Sequence, residues 1–121
     1  MLSTVNNVKL SLVSDIVDRL KAANKKWGHS VYEDQPPNSD ILPVIQVYST
    51  TIKECVTGNG KGLGIFDGYV SVSLWTKSNV NKYMSEIYEV IKLVPSYSEM
   101  QNVINRIEGE TTHITMDFYF I

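Results

Sequence analysis

The carboxy-terminal segment is the feature that most limits how this chain can fold. In it, Ile114, Met116, Phe118 and Phe120 alternate with His113, Thr115, Asp117 and Tyr119. Alternation with a period of two predicts a β-strand that buries one face. Such a strand needs a neighbouring strand for its hydrogen bonds and an apolar layer over its buried face. The rest of the chain must therefore supply more strands and something to cover them.

The size of the chain sets how large that covering layer can be. The sequence has 121 residues, of which 43% are hydrophobic and 20% are charged. These are ordinary values for a globular protein, and the length suits one domain with one core. We therefore expect residues 1–121 to form a single domain.

The amino-terminal part predicts an amphipathic helix. Apolar residues recur there at steps of three and four, which is the spacing of one buried helical face. The helix is expected to end near Gly28, after the cations Lys25 and Lys26. The apolar positions are Val5, Val8, Leu12, Val13, Ile16, Leu20, Ala23 and Trp27.

A surface loop and a wide hairpin are predicted next. Residues 29–40 contain two prolines and three acids, which favours a loop. A strand follows Pro43 and is clearest over residues 44–49, where β-branched and aromatic residues dominate. The alternating residues 68–75 predict its partner strand. The glycine-rich stretch between them, with four glycines from Gly58 to Gly64, is the expected connection.

A second helix and a further segment precede the last strand. Ser78 or Asn79 is the expected cap of the helix, and Pro95 its end. Its apolar face consists of Val80, Tyr83, Met84, Ile87, Tyr88, Ile91 and Val94. Residues 96–107 fit either a helix that begins with a Ser96–Glu99 capping box or a strand that leads into a turn at Gly109. The need of the last strand for a neighbour favours the strand.

These elements predict an α+β fold. The expected order is helix, strand, strand, helix, strand, strand. Elements in this order pack most simply as a small four-stranded, mostly antiparallel sheet with two helices on one face.

Residues suited to catalysis or metal binding are scarce. The glycine-rich stretch fails the phosphate-loop pattern, because Gly62 rather than Ser or Thr follows Lys61 and a strand rather than a helix comes next. His29 and His113 are the two histidines and form no metal-ligand cluster. Cys55 is the single cysteine, without a flanking nucleophile signature. We expect no catalytic residue, no cofactor and no metal.

Charge and cysteine content exclude further classes of protein. Eleven basic and thirteen acidic residues give a net charge of −2, which argues against a broad cationic surface that binds nucleic acid through its phosphates. One cysteine excludes an internal disulfide and fits a reducing compartment. We find no targeting segment and no membrane-spanning run, so we expect action in the cytosol or as part of a particle.

Aromatic residues on strand faces suggest contact with a partner. Tyr69 and Trp75 share a strand face with Ser71 and Ser73, opposite the face that the helices would cover. Either a loop or the first helix covers these aromatics, or a neighbouring subunit does. The last strand ends in apolar residues, including Tyr119, and at a sheet edge it would promote aggregation unless another copy covered it.

Four segments, taken in order, resemble the tail terminator (tail completion, or tail-to-head joining) proteins of long-tailed bacteriophages. The first is the amino-terminal amphipathic helix. The second runs from Ser30 to Val47 and contains Val-Tyr-Glu-Asp-Gln-Pro and Leu-Pro-Val-Ile-Gln-Val. The third, Tyr69 to Thr76, ends in Leu-Trp-Thr and enters a helix, and the fourth, Gly109 to Phe118, begins Gly-Glu-Thr-Thr-His. Each motif is short and structural, so the order of the segments carries more weight than any one of them.

The resemblance implies a structural protein of the virion neck rather than an enzyme. Members of the family form a hexameric ring that caps the tail tube, ends its polymerisation and meets the head connector or stopper, while genomic DNA passes through without specific binding. The expected place is the tail-head junction of the virion, after assembly in the host cytoplasm. No contact with a membrane is expected.

One segment departs from the family pattern. The glycine-rich stretch, residues 57–66, is longer than the family leads us to expect, and we hypothesise that it reaches a neighbouring subunit or an axial partner. The expected interface residues are Asn59, Lys61, Leu63, Phe66, Tyr69, Trp75 and Tyr119.

Other functions fit the same residues. One alternative is another neck component, such as a head-completion or connector-stopper protein. A small α+β enzyme or ligand-binding module is a second, and a monomeric toxin-antitoxin or regulatory domain is a third. Oligomeric mass in solution and a ligand-sized polar pocket are the features that separate these classes.

Overall fold

The computed structural model describes the backbone of residues 5–33, 42–56 and 62–121, and the side chains of residues 12–33, 42–49 and 68–121. Within these ranges the chain forms two helices and five strands. They are α1 (Val5–Ala22), β1 (Val31–Glu33), β2 (Val44–Val56), β3 (Gly62–Thr76), α2 (Val80–Ile91), β4 (Tyr97–Glu108) and β5 (Thr111–Phe120). No helix in this part of the chain is long and apolar enough to cross a membrane.

The strands form one mixed sheet in the order β1-β2-β3-β5-β4. Strand β1 runs parallel to β2, and the other neighbours are antiparallel. The predicted α+β class, the hairpin of β2 and β3 and the mostly antiparallel pairing are confirmed. The predicted number of four strands is wrong, since the sheet has five.

The additional strand lies in the segment that was predicted to be a loop. Val31 pairs with Ile45 and is buried, and the Ile45 amide donates a hydrogen bond to the Ser30 carbonyl at 2.9 Å. A three-residue strand is too short to display a period of two. Its existence depends on pairing with β2, which is a tertiary contact that local sequence does not encode.

Helix α1 ends earlier than predicted, at Ala22 rather than near Gly28. Asn24, two residues after the end of the helix, has a φ of 56°, a left-handed conformation through which an α-helix cannot continue. Trp27 lies beyond the helix in a turn, yet its side chain is fully buried. The apolar periodicity therefore identified a core residue correctly but extended the helix too far.

The segment that fitted either element is a strand, and two bulges explain the ambiguity. Register shifts between Tyr97 and Glu99 and between Met100 and Asn102 each interrupt the alternation of β4. As a result, Met100 and Val103 both lie opposite inward-facing residues of β5 although they are three positions apart. A spacing of three imitates a helix in the sequence, so the helical alternative was wrong.

A single core joins both helices to one face of the sheet. The buried members come from α1, the turn at Trp27, α2 and the inner faces of β1, β2, β3 and β5. On β5 these are Ile114, Met116, Phe118 and Phe120, as the alternation predicted. The expectation that two helices cover one face is confirmed.

The start of α2 differs in detail from the predicted cap. Asn79 occupies the N-cap position with a φ of 58°, but its side chain makes no capping hydrogen bond. Instead, the Thr76 hydroxyl donates to the Ser78 carbonyl at 2.7 Å and fixes the turn that precedes the helix.

Trp27 ties the turn after α1 to α2. Its indole Nε1 donates to Glu86 Oε1 at 3.3 Å, and Lys25 Nζ lies 3.5 Å from Glu86 Oε2.

Replacing Trp27 with alanine removes a fully buried side chain, so we expect the free energy of unfolding to fall by about 3–5 kcal/mol. Chemical denaturation measures this change. In the control Leu93→Ala, at a side chain that is 69% exposed, the change should stay within about 0.5 kcal/mol, and an equal loss in both variants would contradict the role of Trp27.

Candidate protein interface

The face of the β3–β5 pair that points away from the helices carries four cross-strand pairs. From one end to the other they are Tyr69 with Tyr119, Ser71 with Asp117, Ser73 with Thr115 and Trp75 with His113. Aromatic rings stand at both ends of this outer face, and small polar groups occupy its centre.

The aromatic ends are packed within the chain. The ring centroids of Tyr69 and Tyr119 are 5.1 Å apart, and those of Trp75 and His113 are stacked at 4.1 Å. Tyr69 and Trp75 are consequently half-buried. Each presents one side of its ring to the chain and leaves part of its surface accessible to a partner.

The polar centre of the outer face is buried and hydrogen-bonded. Ser71 is 1% exposed, and its Oγ donates to Asp117 Oδ1 at 2.5 Å. Ser73 Oγ and Thr115 Oγ1 are 3.1 Å apart. These bonds hold β3 and β5 together on the side that has no helical cover.

Three of the seven expected interface residues come together on this outer face: Tyr69, Trp75 and Tyr119. Asn59 and Lys61 lie outside the described residues. Leu63 and Phe66 belong to β3, but their side chains also fall outside the described part. The proposed role of the glycine-rich stretch therefore stays a prediction.

The exposed edge of the sheet is β4 and not the last strand. Strand β5 lies between β3 and β4, so the apolar carboxy-terminal strand is internal and needs no other copy to cover its edge. The edge strand is β4, and its side chains are exposed from Ser98 to Glu108. Large apolar residues are among them: Met100, Val103, Ile104 and Ile107 are 39%, 40%, 42% and 80% exposed.

The exposed apolar residues of β4 were missed as candidates because they fitted a buried helical face equally well. They lie on both faces of the strand. Val103 is opposite Met116 on the helix side, whereas Ile104 is opposite Thr115 on the outer side. The signal in the sequence was the adjacent pair Val103 and Ile104, because neighbouring residues of a strand point to opposite faces and one of two adjacent apolar residues then faces outward.

Beside β4, a small apolar cavity opens between α2 and the sheet. It has a volume of about 210 Å³ and is lined by Met84, Ser85, Tyr88, Met100 and Met116. Flexible methionine side chains adapt readily to different contacting surfaces. The cavity extends the apolar surface of β4 towards α2.

Tyr97 anchors the beginning of β4. Its ring packs against Tyr88, Phe118 and Phe120 at centroid distances of 6.4, 6.3 and 6.0 Å. Burial, assisted by the neighbouring Tyr88, raises the pKa of the Tyr97 phenol above its ordinary value. A raised pKa favours the neutral phenol, which suits an apolar anchor.

Groups suited to metal chemistry do not gather among the described residues. No cluster of three or more His, Cys, Asp or Glu side chains occurs there. His113 stacks on Trp75, and its Nδ1 lies 3.5 Å from Glu108 Oε1. The described part of this region combines packed aromatics, a hydrogen-bonded polar centre and an apolar edge, which makes it a candidate surface for binding another protein.

The Ser71–Asp117 hydrogen bond predicts coupling between the two outer-face strands. Asp117→Ala should lower the free energy of unfolding by about 1–3 kcal/mol, because it leaves a buried hydroxyl without its acceptor. A double-mutant cycle with Ser71→Ala should give a coupling energy of about 0.5–3 kcal/mol, measured by denaturant titration. The exposed carboxylate Asp18, changed to alanine, is the matched control, and strictly additive effects of the two substitutions would contradict the bond.

Comparison with known proteins gives a match in structure but not in sequence. No known protein family matches the sequence, and no curated protein matches it. Among solved structures, a chain described as "Virion of native gene transfer agent (GTA) particle" is similar, with a TM-score of 0.60 and 14% identity. The match covers 98% of this chain and 97% of that chain. The whole chain therefore shares its fold with a component of a gene transfer agent virion.

Proposed function

We propose that the chain is a structural virion protein that forms a ring at the end of a phage tail tube, ends the polymerisation of the tube and joins it to the head connector. The observation that carries the proposal is the end-to-end match with a chain of a gene transfer agent virion. Such a particle is phage-like. The ordered motifs that resemble tail terminators then favour the tail end among virion positions.

The surfaces of the molecule support repeated contacts between identical subunits. An interface that joins one surface of a copy to a different surface of the next produces a ring when the rotation closes. The described chain offers distinct surfaces for such contacts, namely the apolar edge β4 and the aromatic outer face of β3 and β5. In the proposal, six copies form the ring, and the number six comes from the family resemblance.

Charge supports a role as a conduit for DNA. A surface with many phosphate-binding cations would hold DNA strongly and hinder its passage. The net charge of −2 avoids such retention. We therefore propose that genomic DNA passes through the ring without specific binding, and that the tail tube protein and the connector or stopper are its protein partners.

The proposed role is non-catalytic, and its place is the neck of the virion. The outer face has its polar groups engaged with one another, as in the Ser71–Asp117 and Ser73–Thr115 pairs, rather than directed at an open site. The proposed interface comprises Asn59, Lys61, Leu63, Phe66, Tyr69, Trp75 and Tyr119.

Electron microscopy of purified tail tubes mixed with the chain tests the tail-end role. We expect a ring of density at one end of each tube and no further elongation when tube protein is added, because the bound ring occupies the growing end. Isolated head connectors serve as the second target. Binding to connectors without any binding to cognate tubes would contradict the tail-end role and favour a head-completion or stopper protein.

The glycine-rich stretch is tested by deletion of residues 59–63. If the stretch reaches a neighbouring subunit or an axial partner, the shortened chain should fold but form fewer rings or join fewer tails to heads. Circular dichroism checks the fold, and electron microscopy counts rings and joined particles. Unchanged assembly would remove the stretch from the interface.

A further inference from the structure

We propose that the chain binds a phosphate group in a polar cavity at the start of α2, away from the candidate interface and independently of the proposed ring. The cavity has a volume of about 370 Å³ and lies where the turn after α1, the end of β3 and the start of α2 meet. Its hydrogen-bond donors come from Lys26, His29, Lys77, Ser78, Asn79 and Tyr83.

The described lining of the cavity is cationic, although the chain as a whole is not. Lys26 and Lys77 both line it, and no carboxylate does so among the described residues. Neither lysine forms an ion pair within the described part of the chain, whose full sequence has a net charge of −2. Two unpaired positive charges match a phosphate group, which carries a charge of about −1.5 to −2 at neutral pH.

The start of α2 adds free amide donors to the two lysines. The N–H groups of a first helical turn have no partner within the helix and need an acceptor from elsewhere. Asn79 supplies none, because its side chain makes no capping hydrogen bond, and the first turn contains no acidic residue. Open amides at the positive end of a helix of twelve residues favour an anion.

The Tyr83 hydroxyl points to a ligand independently of the helix end. Tyr83 is 3% exposed and packs in the core, yet it also lines the cavity. Every fully buried polar side-chain atom in the described part of the chain has a hydrogen-bond partner. The Tyr83 hydroxyl has no partner there, so its oxygen is not sealed in the core and reaches the cavity. A hydroxyl held this way by a buried ring is a fixed donor for a bound oxygen atom.

The turn that carries two further donors is already held in place. Thr76 Oγ1 donates to the Ser78 carbonyl at 2.7 Å and accepts from the Ser78 amide at 3.3 Å. These bonds leave the Ser78 hydroxyl and the Asn79 amide group available to a ligand. A fixed turn lowers the cost of ordering on binding. The volume of the cavity is in the range of small-molecule sites, which leaves room for an organic group attached to the phosphate.

Titration of the protein with inorganic phosphate, followed by amide signals in nuclear magnetic resonance spectra, tests the site. We expect saturable shifts of the amide signals of residues 80–82. The double variant Lys26→Ala, Lys77→Ala should weaken binding at least tenfold, because it removes both charges. Tyr83→Phe keeps the buried ring and removes only the hydroxyl, so binding should weaken about three- to tenfold.

Lys21→Ala is the matched control, since Lys21 is an exposed lysine of α1 outside the cavity lining. Its phosphate affinity should equal that of the unmodified protein, and the spectra themselves show whether each variant is folded.

A second titration with a short DNA duplex identifies the source of the phosphate group. Duplex binding that is lost in the same variants would support the site, assign it to the DNA backbone and contradict the free passage of DNA through the proposed ring. Binding of free phosphate without binding of the duplex would support a site for a small phosphorylated ligand and leave the proposed function untouched.

Four results would overturn the inference. The first is the absence of saturable shifts with either titrant. The second is unchanged binding in Tyr83→Phe together with equal losses in all the lysine variants, which indicates diffuse charge attraction. The third is binding of glutamate as tightly as phosphate. The fourth is phosphate binding that appears only in the variant Asp34→Asn, Asp40→Asn, because carboxylates of the chain itself would then fill the site.

Discussion

The antiparallel pairing of β3 with β5 is the interaction on which the rest of the structure depends. The two strands stay in register from Gly68 opposite Phe120 to Thr76 opposite Thr112. On one side their alternate residues are fully buried and supply the floor on which both helices pack. On the other side Ser71, Ser73, Thr115 and Asp117 bond across the pair. One register thus fixes both the apolar core and the polar outer face.

This central pair also determines where the molecule remains open. Because β3 and β5 have neighbours on both sides, they are internal, and among the described residues β4 forms one edge of the sheet. The helices cover the centre of the sheet but leave Met100, Val103 and Ile107 exposed. The core thus lies at the centre of the sheet while the β4 edge stays exposed, which is consistent with a subunit that assembles with other proteins.

Sequence alone predicted the elements whose periodicity is complete. Strand β5 alternates without interruption, and α2 repeats its apolar residues over three turns, so both were recognised. Strand β1 could not be predicted, because three residues carry no period and depend on pairing with Ile45. The end of α1 was misplaced because the left-handed Asn24 ends the helix while Trp27 still reaches the core.

For the candidate interface, the sequence identified the aromatic outer face but not the edge. Tyr69, Trp75 and Tyr119 could be placed from alternation, since residues two apart in a strand share a face. The edge strand β4 was hidden by its two bulges, which give Met100 and Val103 a helix-like spacing. The order of strands in the sheet comes from packing of the whole chain, and it alone decides that β4 rather than β5 lies at the edge.

The central claim is that this chain is a virion component located where tail meets head. A cryo-electron microscopy reconstruction of the virion that is encoded in the same genome as this chain tests the claim most directly. The account predicts a ring of this fold at the tail-head junction. Absence of the chain from the particle, or its presence at a different position, would contradict the account.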